Sequence, residues 1–419
     1  MTPQILEFNL IISLLYSVSI YVVMWFISKY LLILEPLNKN LTPSGNRYGS
    51  IDGLRGILAI GVFIHHSFTA YGYFTTGVWQ YSSNPLLNQF GQSSVALFFM
   101  ITGFLFTNKA LGKNIEWKKF FTSRARRLFP LYFIVVNIVF LIAFGKTSWS
   151  LNESILNIST EYLRWITFVV FGRPDINGLK DSALIIAGVN WSLKFEVLFY
   201  ILVVPTIYFA SRYLSDVFLL IGGTITSIIA FISIKYLKLD VNLSIFHFQC
   251  GILIALLFRM SRVREIFRNK YFHYVSFVSV IVLVFTHSWT LSLILLAVIF
   301  SSVIGGGSLR GLLNTRPAIW LGDISYGVYL VHGLLLYCVL SILNKTLDLN
   351  ELDLFFYWFV VFCTGSLTVI LASLSYAYLE KPIMSLGKNR RKDLPNELGV
   401  DPNSTGTMYG GKPVSSVKR

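Results

Sequence analysis

Charged side chains are scarce in this sequence. Asp, Glu, Lys and Arg make up 13% of its 419 residues, where a soluble domain carries about a quarter. That shortage excludes an ordinary soluble fold. Acids are the scarcer sign, 20 Asp and Glu against 35 Lys and Arg, so the formal net charge is +15. Cysteine is nearly absent. Cys250, Cys338 and Cys363 all sit in apolar segments without paired spacing, which argues against a disulfide framework or a zinc site; they read as core residues, and no metal is expected. No internal repeat is visible. The first apolar run, roughly Leu6 to Ile33, lacks a preceding positive charge and a following small-residue cleavage site. It reads as a retained transmembrane helix and not as a signal peptide.

What the chain has in excess is apolar sequence. Hydrophobic residues make up 54% and the mean hydropathy is +0.64, in long blocks. This predicts an all-α, polytopic transmembrane helix bundle. About eleven spans are expected, at 7–33, 54–74, 90–111, 128–145, 183–209, 216–234, 243–259, 274–288, 290–306, 320–343 and 354–378. The chain then divides into an N-terminal helix and cytoplasmic linker (1–49), a transmembrane domain (50–387) and a polar, turn-rich tail (388–419) expected to be disordered.

Positive charge sets the orientation. Loops 34–53, 109–127, 210–215, 260–273, 307–319 and the tail from 379 hold most of the Lys and Arg, while 1–6, 75–89, 146–182, 235–242 and 344–353 hold few. By the positive-inside rule the first set is cytoplasmic, with the N terminus outside and the C terminus inside. The basic loops account for the net charge, so the lipid bilayer is the expected partner and nucleic acid is not. In the longest outer loop, "ILNISTEYLRWITFVVFG" reads as an amphipathic helix at the interface.

Ionisable residues inside spans are costly and mark functional sites. The stretch "SIDGLRGILAIGVFIHHSF" carries Arg55, His65 and His66. Arg55 and His66 are eleven residues apart, about 16 Å along a helix and almost three full turns, so they share one face. His65 leaves the helix about 100° away and reads as a packing residue. "NWSLKFEVLFY" carries Glu196 and "WLGDISYGVYLVHGLLL" carries His332 to a similar depth. His66, Glu196 and His332 are thus expected to converge at mid-membrane, with Arg55 below them. His247 and His287 near span ends read as interfacial, and Lys194 as snorkelling or paired with Glu196. In "SRARRLFPLYF", Arg124, Arg126 and Arg127 serve as a topology signal and also offer forked donors suited to phosphate.

These segments resemble the membrane-bound acyltransferase 3 family, bacterial proteins that O-acylate cell-surface and secreted glycans. Arg55 and His66 match its Arg-x10-His hallmark. "SVALFFMITGFL" resembles its Phe-Phe-x-x-Ser-Gly element, with Thr102 for the usual Ser. "RARRLFP", "NWSLKFEVLFY", "LGDISYGVYLVH" and "LEKP" (379–382) follow in the family's order. The likeness runs from about residue 50 to 385. It implies a ten-helix core, from which this chain is expected to depart in two ways: an added first span and no extracellular esterase-like domain of the kind some members carry after the core.

The resemblance further implies acetyl-CoA or another acyl-CoA as co-substrate, a glycan hydroxyl as acceptor, and residence in the bacterial cytoplasmic membrane. On this reading His66 is the general base, Glu196 orients it, and Arg55, Arg124, Arg126 and Arg127 hold the coenzyme. Trp191, Ser192, Tyr326 and His332 line the acceptor path. Direct transfer and an acyl-enzyme on Ser, Tyr or His both stay open, as do the acceptor's identity and the oligomeric state. The contrasting class is a proton-coupled sugar or anion transporter, which the same intramembrane residues suit.

Overall fold

The structure, a computed structural model, describes residues 9–34, 37, 49–112, 114–237 and 244–386. The tail 388–419, most of the linker to residue 49 and most of the loop 235–242 lie outside the described residues. Among these residues no strand forms; only an isolated bridge joins Ile176 and Leu179.

The helices in chain order are α1 (Leu10–Leu31), α2 (Gly49–Thr76), α3 (Pro85–Leu111), α4 (Trp117–Lys146), α5 (Ile155–Ile166), α6 (Asn190–Tyr213) and α7 (Asp216–Leu237). They continue with α8 (Ile245–Arg259), α9 (Ser261–Arg268), α10 (Lys270–Phe285), α11 (Trp289–Ile304), α12 (Arg316–Asp323), α13 (Ser325–Thr346) and α14 (Leu354–Ser385). Seven are long and apolar enough to cross a membrane: α1 to α4, α6, α13 and α14. Four shorter apolar helices, α7, α8, α10 and α11, join them among the described residues, in line with the eleven spans expected. The chain is a multi-pass, all-α membrane protein.

The centre of the bundle is α2, α3 and α13, with α12 wedged beside α2. Helices gain little from hydrophobicity alone when the solvent is lipid, so small residues that let backbones touch become important. A Cβ on Gly251 of α8 would lie 2.2 Å from the Met100 carbonyl oxygen of α3, and one on Gly103 would lie 2.4 Å from the Phe248 carbonyl oxygen. A Cβ on Gly322 of α12 would lie 1.9 Å from the Asp52 carbonyl oxygen of α2. These contacts admit glycine and nothing larger. The additional helix α1 docks partly through polar contact, Tyr16 OH meeting Ser67 Oγ of α2 at 2.9 Å. Its outward face exposes Ile11, Leu14, Leu15 and Val18, as a lipid-facing surface would.

Three expectations change. The arginines of "SRARR" are not in a loop before a span. They lie on α4, which starts at Trp117, because "WKKFFTSRARR" contains no Gly or Pro to stop a helix. The span expected at 320–343 is broken. α12 ends at Asp323, Ile324 has φ −89° and ψ 1°, and α13 starts at Ser325. The freed carbonyls at the break find donors: Ser325 Oγ bonds the Gly322 carbonyl at 2.8 Å and Arg127 Nη2 bonds that of Asp323 at 2.8 Å, as helix ends require. Cys363 is exposed on α14 and is not a core residue, because a lipid-facing side chain is as apolar as an interior one. The helix expected in the loop 146–182 forms as α5; its Trp165 is buried, while Ile155, Leu156 and Leu163 are exposed.

Candidate active site

α2 and α3 run antiparallel through the centre, and a cavity opens at each end of the pair. One, of about 490 Å³, is lined by Arg55 near the start of α2, Lys109 near the end of α3, and Arg124 and Arg127 of α4. The other, of about 890 Å³, is lined by His65 and His66 of α2, Trp79, Gln89 and Gln92 near the start of α3, and Trp191 of α6. We call them the basic cavity and the histidine cavity. Among the described residues, only Val95 and Tyr329 line both. Tyr329 is held at this junction by Ser192, whose Oγ lies 2.7 Å from its hydroxyl, and by donation to the Val189 carbonyl at 3.2 Å.

His66 and His332 meet. His66 Nδ1 lies 2.8 Å from His332 Nε2, with the rings within 14° of parallel. Nδ1 of His332 lies 2.9 Å from the Val328 carbonyl oxygen, one turn back on α13. Trp79 closes over His66 at a ring distance of 5.9 Å. His65 also borders the histidine cavity, but its Nδ1 reaches the Leu87 carbonyl oxygen at 3.1 Å. It therefore ties α2 to α3, as a packing histidine would.

Glu196 does not reach His66. It lines the basic cavity, where it accepts a short hydrogen bond from Tyr200 OH. A π-turn at Phe199–Val203 interrupts α6 at this point, the kind of local irregularity that often accompanies functional sites. Lys194 lies over the Phe195 ring. Trp191 faces the histidine cavity, whereas Ser192 and Tyr326 face the basic one. Tyr326 OH donates to the Leu128 carbonyl at 2.6 Å, and His332 stands behind His66.

The arginines separate into different environments. Arg127 forms a 2.9 Å salt bridge with fully buried Glu380, and its guanidinium lies over the rings of Tyr326 and Tyr376. Arg126 leaves α4 about 200° round from Arg124 and donates to the Leu386 carbonyl. Arg124 faces the basic cavity, rests on Phe106, and has a buried Nε without a hydrogen-bond partner. Arg55 lies 3.8 Å from Asp52 one turn back. Among the described residues, no three His, Cys, Asp or Glu side chains come together as a metal site requires.

A family model described as an acyltransferase domain matches residues 48–377. The chain belongs to the acyltransferase 3 family. It is 25% identical over 336 residues to "Putative peptidoglycan O-acetyltransferase YrhL" of Bacillus subtilis (strain 168), covering 71% of this chain and 51% of that protein. It is also 25% identical over 378 residues to "Putative O-acetyltransferase SACOL0978" of Staphylococcus aureus (strain COL), covering 80% and 57%. "Nodulation protein 10" of Rhizobium leguminosarum bv. viciae is 24% identical over 388 residues, covering 82% of this chain and 95% of that one. The chain thus spans about half the length of the Bacillus and Staphylococcus relatives. No solved structure gives a significant match.

Several segments that resemble acyltransferase 3 motifs become neighbours in space. Thr102 of "FFMITGFL" lines the basic cavity with Arg55. Glu380 of "LEKP" pairs with Arg127 of "RARRLFP". Sequence reasoning passed over Lys109, Tyr200 and Tyr329 in the basic cavity, and Trp79 and Arg173 in the other. A signal existed for two of them. Lys109 is seven residues after Thr102, two turns on the same face, and Tyr329 is three before His332. Trp79 and Arg173 lie between helices, where no periodicity marks them.

Proposed function

We propose that this acyltransferase 3 protein is a transmembrane O-acyltransferase. It moves an acyl group, acetyl in the simplest case, from cytoplasmic acyl-CoA to a hydroxyl of a glycan at the outer face of a bacterial cytoplasmic membrane. The observation that carries this reading is the pair of opposed cavities meeting at Tyr329, cationic on one side and histidine-lined on the other.

Arg124, Lys109 and Arg55 receive the coenzyme phosphates in the basic cavity. Charge-assisted bonds suit this role, and the unpaired Arg124 Nε has donor capacity to spare. The uncharged pantetheine arm passes Tyr329 and brings its thioester beside His66. The acceptor enters the histidine cavity, where Trp79 and Trp191 offer faces for sugar rings and Gln89 and Gln92 offer amides. The hydroxyl oxygen attacks the thioester carbonyl while its proton moves to His66. The C–S bond breaks, and the coenzyme thiolate takes that proton to leave as the thiol. Histidine suits the exchange because its ordinary pKa lies near working pH. Glu196 and Tyr200 act on the donor side, close to the arm.

A proton-coupled transporter would share the opposed cavities, but it needs no coenzyme. Purified protein given radiolabelled acetyl-CoA and envelope glycans from cells lacking the protein is expected to transfer label to the glycan. Sugar flux into proteoliposomes without coenzyme, and no transfer, would reject the enzyme reading.

The orientation has its own test. In a background with Cys250, Cys338 and Cys363 replaced by Ala, an impermeant thiol reagent on intact cells is expected to label Ser159→Cys on α5 and not Lys119→Cys on α4. Both positions are exposed. The reverse pattern would put the basic cavity outside and remove the cytoplasmic donor from the proposal.

A further inference from the structure

Resting on His66 as the base, we infer that His332 is a positioning residue that holds the His66 proton on Nδ1 and leaves Nε2 as the basic nitrogen facing the acceptor. A backbone carbonyl only accepts, so the 2.9 Å contact from His332 Nδ1 to the Val328 oxygen puts a proton on that nitrogen. A neutral ring with Nδ1–H has its lone pair on Nε2. The 2.8 Å contact between His332 Nε2 and His66 Nδ1 then needs a proton on His66 Nδ1. A neutral His66 consequently has its lone pair on Nε2, the nitrogen away from His332, and His66 lines the histidine cavity. The chain runs Val328 carbonyl, His332, His66, acceptor.

This gives His332 the orienting role that the sequence suggested for Glu196, but with a neutral partner. A carboxylate would hold the same tautomer and also attract the imidazolium. A neutral imidazole holds the tautomer and adds a lone pair for the Nδ1–H bond, which strengthens as His66 gains charge. The fixed rings support this assignment. His332 is fully buried, its ring is packed by Phe63 and Tyr329, and a Cβ on the next residue, Gly333, would strike the Ile186 carbonyl carbon at 2.5 Å. That close approach leaves α13 little room to shift.

The test compares His332→Leu with His332→Gln, whose amide oxygen can accept from His66 Nδ1–H although it cannot serve as an imidazole. The assay is transfer of radiolabelled acetyl from acetyl-CoA to envelope glycans from cells lacking the protein, with acetyl-CoA affinity measured in parallel. Losing tautomer control in hydrolytic triads costs about 10⁴-fold in kcat. We expect His332→Leu to lose about a hundredfold or more in kcat with acetyl-CoA affinity unchanged, and His332→Gln to recover most of that loss. Equal kcat in the two variants, high or low, would overturn the positioning role. A second measurement needs no folded His332 variant. Solid-state NMR of the histidine-labelled wild type is expected to show neutral rings with Nδ1–H, one of which vanishes in His66→Ala. Loss of an Nε2–H ring in that variant would also overturn the assignment. If His66→Ala itself transfers normally, the base reading has failed; if only the Leu and Gln comparison fails, His66 stands and His332 does not.

Discussion

Replacing His66 by Ala is expected to lower acyl transfer by about a hundredfold to ten-thousandfold, the usual cost of removing a general base, without loss of acetyl-CoA binding. Replacing His65 by Ala is expected to leave substantial activity. The two rings are adjacent in sequence but serve different neighbours. Both border the histidine cavity, but His66 meets His332, whereas His65 is bonded to the Leu87 carbonyl and packed against Gly91. Losing the Leu87 bond costs roughly 1 kcal/mol of stability, which appears in a melting curve more than in turnover. Turnover of detergent-purified variants, with coenzyme binding as the folding control, separates the two. An inactive His65→Ala beside an active His66→Ala would mean that the wrong face of α2 carries the chemistry.

Arginine substitutions on α4 are expected to split into two phenotypes. Arg127→Ala strips the partner from Glu380, which is fully buried. Leaving one member of a buried pair costs about 3–5 kcal/mol, so the variant unfolds at markedly lower temperature. Arg124→Ala has no such partner to strand. It keeps its melting temperature and weakens acetyl-CoA binding by about 1.5–3 kcal/mol, on the order of ten- to a hundredfold. Arg126→Ala changes little, because its side chain is on another face of the helix. Melting curves and coenzyme binding on the three variants decide the matter. A stable Arg127→Ala that fails to bind coenzyme, beside an Arg124→Ala that binds normally, would exchange their roles.

Spacing along one helix was the most legible feature of the sequence. The hydrophobic blocks located the eleven apolar helices found among the described residues, and the interval of eleven residues set Arg55 and His66 on one face of α2. Arrangement between helices was not legible. His66, Glu196 and His332 lie at similar depths in the sequence reading, but depth does not say which helix faces which. In the fold α13 presents His332 to His66, while Glu196 turns to Tyr200 in the other cavity. The break at Ile324 was hidden because Leu321, Ile324 and Val328 keep the segment apolar; only Arg127, from another helix, reveals where the Asp323 carbonyl needs a donor. The three arginines looked like one anion site because their sequence is continuous. Once α4 is seen to include them, helical geometry separates Arg126 from Arg124, and Glu380, more than two hundred residues away, claims Arg127.

We propose that acyl groups reach an external glycan through His66. The most direct test measures alkali-labile acyl esters on the envelope glycans of the producing cells. Four strains are compared: intact, deleted for this protein, and deleted but supplied with the wild type or with His66→Ala at equal membrane abundance. Ester content is expected to fall on deletion, to be restored by the wild type and not to be restored by His66→Ala. Ester content that is unchanged by deletion, or restored equally by His66→Ala, would contradict it.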